Sequence, residues 1–274
     1  NKHKKVPQKK LTKLNDLISA DTNIDMSRIL IDISNEPVEV PDDKVFTVQV
    51  DVMQALQAAG FNGKFLVSGN FWSGLHSWAS SSWTSSDGKT YTNANLLTRD
   101  NFVAAGIDPD SIIINAHQYL DSDYSGTHSD CLTDLSTTGS TGFNLQSFVD
   151  YLEENQFKAM VTEFGAGSDQ STCESALRQF LDYMQTNAAT GDKKHGFVGW
   201  QMWGAGHGWG DYDMGVTPDS YKWDIVSSYL PQCPEQNTSE DTPEKVGEVK
   251  ELSKEQKWNK HYSEYSGKLF RPLG

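Results

Sequence analysis

The chain has 274 residues, enough for one large domain or a domain with appendages. Its net charge of −14 argues against nucleic acid and anionic membrane surfaces as partners. That charge is compatible with a neutral substrate, and no stretch reaches the roughly 18 consecutive apolar residues of a membrane span.

Residues 1–10 hold five lysines and read as a solvated terminus. Residues 11–20 follow with Leu11, Leu14, Leu17 and Ile18 at helical spacing. The run Ile29-Leu30-Ile31-Asp32-Ile33 has the branched, apolar composition of a buried parallel strand, and Pro37 closes it because proline cannot donate to a ladder. Residues 44–59 form a helix through Val45, Val48, Val52, Ala55, Leu56 and Ala59, with Gly60 as its stop. Residues 64–67 are the next strand, leading into a long loop with Trp72, Trp78 and Trp83. A β-branched strand spans 111–117, a helix 145–155, a strand 158–162, a helix 173–188, a strand 196–203 and a last helix 221–230. Five strands alternating with helices predict a parallel sheet with right-handed crossovers.

After Pro231 the composition shifts, and residues 234–255 are rich in Glu, Asp, Lys, Thr and Ser, as in a disordered linker. The stretch 258–273 carries aromatics that could dock on the domain or on a partner, and an unstructured end is the favoured reading. The domain reading is therefore a frayed terminus and remnant helix at 1–27, the main folded unit at 28–231 and a charged tail at 232–274. The three cysteines, Cys131, Cys173 and Cys233, lack metal-site spacing, so no zinc is expected, and any two of them could pair as a disulfide in an oxidising compartment. Asn237-Thr238-Ser239 is a glycosylation sequon. The chain begins with Asn and shows no leader peptide, which reads as a processed chain or a fragment.

Two carboxylates stand at strand tips. Glu36, in Asn35-Glu36-Pro37, follows the first strand, and Glu163 follows 158–162 and precedes Phe164-Gly165-Ala166-Gly167. An α/β barrel builds its active site at such tips. Retaining glycoside hydrolysis needs two carboxyl groups about 5–5.5 Å apart, one an acid and then a base, the other a nucleophile. His117 and Tyr119 end the 111–117 strand, point to one side by strand period, and can position and tune such a pair. Trp203 ends the last strand, where an indole face can stack on a sugar ring; Trp72, Trp78 and Trp83 offer further platforms, while Trp200 should face the core.

These motifs resemble glycoside hydrolase family 5, in particular its endo-β-1,4-glucanases. The matching segments are Ile33-Ser34-Asn35-Glu36-Pro37, the run from Gly69 to Trp78, His117-Gln118-Tyr119-Leu120-Asp121-Ser122-Asp123, Ser125-Gly126-Thr127-His128, Thr162-Glu163-Phe164-Gly165 and Trp203-Gly204-Ala205-Gly206, in family order over residues 28–231. The resemblance implies a (β/α)8 TIM barrel with Glu36 as acid/base, Glu163 as nucleophile, and Asn35 on the substrate 2-hydroxyl. His117 and Tyr119 would support the carboxylates, Trp203 would floor the −1 subsite, and Cys131 would pair with Cys173, leaving Cys233 single. It implies a secreted, monomeric hydrolase of β-glucan that needs no metal or cofactor.

The Asn-Glu-Pro motif marks the family's fourth strand, yet it arrives at residue 35. Three βα units need about 90 residues, given about 250 for a whole barrel. The expectation is strands 4–8 alone, with no counterpart for the family's early active-site Arg and His, and little or no hydrolysis by this chain. Mannan or mixed-linkage glucan is the alternative substrate. A non-catalytic carbohydrate-binding remnant is the alternative of another class, and an interaction protein built around the charged tail a third.

Overall fold

The computed structural model describes residues 25–133, 135, 145–230 and 269–272. The expected helix at 11–20, Cys233 and the sequon lie outside these. A short 3-10 turn, Met26–Arg28, leads into β1 (Leu30–Asp32), α1 (Lys44–Ala58) and β2 (Lys64–Ser68). A hairpin follows, β3 (Ser82–Thr84) and β4 (Thr90–Thr92), then two short helices, α2 (Asn93–Leu96) and α3 (Arg99–Ala104). The remainder alternates strand and helix: β5 (Ile112–Tyr119), α4 (Leu145–Asn155), β6 (Lys158–Gly165), α5 (Gln170–Thr186), β7 (Gly196–Met202) and α6 (Tyr221–Tyr229).

The sheet runs β1-β2-β5-β6-β7, all parallel, as the alternating pattern predicts. β8 (Leu269–Pro272) extends it antiparallel to β7, with Trp200 opposite Arg271. That corrects the reading of the C-terminal stretch as unstructured over these residues. The aromatic and apolar composition of 258–273 was the signal, because a β7 edge left bare offers unpaired backbone groups that a short apolar strand can satisfy. Among the described residues the sheet is open, and nothing pairs with the outer edge of β1, where Leu30 is exposed.

One apolar core lies between sheet and helices, built from β-branched and aromatic strand residues against helical stripes. On α5 the stripe is Cys173, Ala176, Leu177, Phe180, Leu181 and Met184, at the three- and four-residue steps that keep one face inward. Its start at 170 rather than 173 reflects Asp169, whose carboxylate caps the helix by accepting from Ser171 N. On α1, Val45, Val50, Met53 and Leu56 are buried, and Gly60 at φ +94° ends the helix where a side chain would be strained. Trp200 and Phe164 meet edge to face in the core, so Trp200 points inward as its position predicts. Cys131 and Cys173 form a disulfide joining the segment after β5 to the first turn of α5.

Candidate active site

The C-terminal ends of β1, β5 and β6 converge on a cavity of about 500 Å³ lined by Glu36, His117, Tyr119 and Glu163. Its wall continues through Phe71, Trp72, His76 and Tyr124. One carboxylate oxygen from each of Glu36 and Glu163 and a ring nitrogen of His117 all lie within 4.8 Å of one another. The two carboxylates therefore face one another across the cavity, near enough to act on one reacting centre.

Backbone geometry sets this convergence. β5 and β6 lose register between Ala116 and His117, so that His117 pairs with Glu163 and Thr162 is the extra residue on β6. Such a bulge re-aims side chains. Here it places Thr162 Oγ1 3.0 Å from His117 Nε2, while His117 Nδ1 lies 2.7 Å from Glu36 Oε1. His117 is buried, at 4% exposure, and Glu36 is partly open at 26%. On the other side, the segment after β2 turns through Phe71, Trp72 and Ser73, all at φ between 54° and 58°. This left-handed run brings Ser73 O onto His117 N at 3.0 Å and Leu75 N onto His117 O at 3.0 Å, clamping the tip of β5.

Tyr119 donates to Glu163 Oε1 at 2.6 Å. Its ring occupies a slot between two glycines: a Cβ on Gly126 would stand 2.8 Å from the ring and one on Gly165 3.0 Å. Burial, and then the Glu163 carboxylate, push the phenol far above its ordinary pKa, so it remains a donor. His76 stacks on Tyr124 with ring centroids 3.8 Å apart, and Gln118 Oε1 takes hydrogen bonds from its backbone N–H (2.9 Å) and meets its Nδ1 (3.1 Å). Burial lowers the His76 pKa to about 4, so its imidazole is neutral over the ordinary pH range.

A loop after β5 builds the remaining wall around a buried carboxylate. Asp121, at 0% exposure, accepts from the backbone N–H of Gly126, Thr127 and His128 and from the Ser125 hydroxyl. His128 Nδ1 sits 3.2 Å from both Asp121 and Asp123. Asp121, Asp123 and His128 are close enough to hold a cation, as are Glu36, His117 and Glu163. Neither set offers well-disposed ligands, because backbone N–H groups already occupy Asp121 and both nitrogens of His117 are engaged.

Of the residues expected from sequence, Glu36, Glu163, His117, Tyr119 and Trp72 come together in the cavity, Trp72 with 56% of its surface exposed. The other expected residues lie elsewhere. Asn35 is exposed and does not line the cavity, because Glu36 adopts φ 42° and the chain turns between them. Trp203 is not a lining residue; its ring packs against Trp209, centroids 4.7 Å apart. Trp78 is fully buried against Phe148 and Tyr151 and serves as core, while Trp83 packs between Phe71 and Tyr91 with Nε1 donating to Asp42 O at 2.7 Å. Missed residues include Asn115, Thr162, His76 and Tyr124. Asn115 shares the two-residue period with His117 and Tyr119, and a polar residue directly after Ile112-Ile113-Ile114, within the same strand, was its signal.

A carboxylate pair facing one cavity at the C-terminal ends of parallel strands, with a histidine and a phenol as partners, suits glycoside hydrolysis. The model of the Cellulase family, glycosyl hydrolase family 5, matches residues 1–206, and the chain belongs to that family. It is 33% identical over 187 residues to Endoglucanase 1 of Robillarda sp., a match spanning 68% of this chain and 41% of the relative. It is 28% identical over 193 residues to Endo-beta-1,4-glucanase A of Emericella nidulans, spanning 70% of this chain and 51% of that protein. Among solved structures, XacCel5A in complex with cellopentaose superposes with a TM-score of 0.61 at 27% identity, over 82% of this chain and 65% of its own. The chain spans about half the length of the curated relatives it matches.

Proposed function

We propose that this chain carries the acid/base and nucleophile of a retaining endo-β-1,4-glucanase. The observation that carries the reading is the Glu36–Glu163 pair, with carboxylate oxygens within 4.8 Å and His117 and Tyr119 as their respective partners. In the first step Glu36 gives its proton to the glycosidic oxygen while a Glu163 oxygen attacks the anomeric carbon. The bond to the leaving sugar breaks and a glycosyl ester forms. In the second, Glu36 takes a proton from water, whose oxygen displaces Glu163 with net retention. Tyr119 favours the ionised nucleophile by donating to it, and His117 holds the acid.

The names of the relatives favour a β-1,4-glucan as substrate, and the cellopentaose bound by XacCel5A fits a linear oligosaccharide. An exposed Trp72 and the stacked His76–Tyr124 pair give a sugar chain flat surfaces on one side of the carboxylates. The disulfide accords with secretion, and no helix among the described residues is long and apolar enough to cross a membrane. The catalytic unit is assigned to residues 28–231, joined by the strand at 269–272.

The test is release of reducing ends from soluble β-1,4-glucan, mixed-linkage glucan and mannan, with the anomeric form of the first product read by NMR. Hydrolysis of the glucan with a β-anomer appearing first, abolished in Glu163→Gln while cellopentaose affinity persists, supports the reading. Such turnover also overturns the expectation of little or no hydrolysis from strands 4–8 alone; binding without turnover in the unaltered protein indicates a carbohydrate-binding remnant, and neither binding nor turnover overturns both readings.

A further inference from the structure

A row of buried polar side chains crosses the sheet one layer below the carboxylates, and the direction of each of its hydrogen bonds can be assigned. Ser68 Oγ gives its hydrogen to Ser34 O at 2.7 Å. It therefore accepts from Asn115 Nδ2 at 3.1 Å, and the same amide nitrogen reaches Asp32 Oδ2 at 3.4 Å. With its nitrogen so committed, Asn115 turns its oxygen to Thr162, whose hydroxyl donates to it. A hydroxyl has one hydrogen. Toward His117 Nε2, 3.0 Å away, Thr162 Oγ1 is therefore the acceptor, and Nε2 carries a hydrogen.

The consequence falls on the other ring nitrogen. Nδ1 lies 2.7 Å from Glu36 Oε1. In a neutral imidazole protonated at Nε2, Nδ1 is a bare lone pair, and a carboxylate facing it would be repelled. The contact closes only with a proton between the two groups, either on Glu36 as the acid or on His117 as imidazolium. The other groups facing this pair are the Glu163 carboxylate and, through Glu163, the neutral Tyr119 phenol, while Asp32 bears on the far end of the row.

We propose that Asn115 and Thr162 are positioning residues that fix His117 in the Nε2–H tautomer, so that one proton is retained between His117 and Glu36 for delivery to the leaving sugar. The catalytic part of this rests on the hydrolase reading of Glu36; the tautomer does not. Without the Thr162 hydroxyl, neutral His117 is free to carry its hydrogen on Nδ1 and donate to an ionised Glu36. The pair then gives up its shared proton more easily, and the acid form is lost at lower pH.

The experiment is 15N NMR of histidine-labelled protein across the pH range, with pH–rate profiles alongside. In the unaltered chain, Nε2 of His117 should carry its hydrogen across the pH range, whether the shared proton sits on Glu36 or on Nδ1. Thr162→Val should move the hydrogen of the neutral ring to Nδ1 and shift the alkaline limb of hydrolysis down by about one pH unit, the scale of one such hydrogen bond. Thr162→Ser should restore both. If Thr162→Val does not fold, Thr162→Ala carries the same expectation. A neutral His117 with its hydrogen on Nδ1 in the unaltered chain overturns the proposal, as does an unchanged tautomer in the Val and Ala variants. A protein that shows the switch but hydrolyses nothing supports the positioning role and overturns only the hydrolase reading.

Discussion

The Tyr119 hydroxyl lies 2.6 Å from Glu163 Oε1 and donates to it, with the phenol itself held far above its ordinary pKa by burial and by that carboxylate. A donor that cannot ionise favours the charged nucleophile at every working pH. Tyr119→Phe removes it without changing the ring that fills the glycine slot. Hydrogen bonds to charged groups contribute about 1.5–3 kcal/mol, so kcat should fall roughly ten- to hundredfold. The loss should fall on kcat and leave KM little changed, because the phenol touches the nucleophile. A loss confined to KM would place the phenol's role elsewhere.

His128 stands between Asp121 and Asp123, and the hydrogen bond it gives to Asp121, followed by the Asp123 charge, raises its pKa above 6.5. Its folded pKa exceeds its unfolded one. The stability it contributes is therefore complete below about pH 6.5 and is lost as the pH rises through the raised folded value. His128→Gln should lower the unfolding midpoint at mildly acidic pH and match the unaltered chain at alkaline pH. Thermal unfolding scanned from acid to alkaline buffers reads this directly, and a gap that widens with pH would reverse the assignment.

The main strands were legible because parallel, doubly covered strands must be apolar over their whole length, which makes runs such as Ile112-Ile113-Ile114 stand out. Glu36, Glu163, His117 and Tyr119 were legible because each sits at the tip of such a run. The β3–β4 hairpin was not, since its strands are three residues each and mix Ser, Thr and a single aromatic without clear alternation. Nor was the fate of Trp78, Asn35 and Trp203, which depends on left-handed turns and ring packing that no local periodicity encodes. Thr162 reaches His117 only because β6 bulges, a long-range feature of register.

The Cys131–Cys173 bond closes a loop between positions 42 apart and ties the wall that carries Asp123, Tyr124 and Ser125 to α5. Chain-entropy reasoning puts the stabilisation from a loop of this length at about 4 kcal/mol. The Cys131→Ser/Cys173→Ser double variant should therefore unfold at clearly lower denaturant, with the midpoint shifted by about that energy divided by the m-value. Asp169 N still bonds Ser129 O at 2.8 Å, so part of the wall's attachment persists. An unchanged midpoint would mean that the denatured chain is already compact around this loop.

Gly126 faces two constraints at once, a φ of +72° and a Tyr119 ring that a Cβ would approach to 2.8 Å. The first alone disfavours alanine by about 1 kcal/mol. The second cannot be relieved by moving the ring away, because Gly165 closes the opposite side with only 3.0 Å for its own Cβ. Nor can the loop back off easily, since Asp121 holds Gly126 N at 3.0 Å. Gly126→Ala should therefore cost about 1–3 kcal/mol of stability, within the range for overpacking a filled site, and tilt the phenol off Glu163. Its kinetic signature should resemble that of Tyr119→Phe, with kcat lowered and KM little changed. Combining the two substitutions should add little to that loss, because both remove the same hydrogen bond. Independent, additive losses in the double variant would show that the loop acts on Glu163 by a route other than Tyr119.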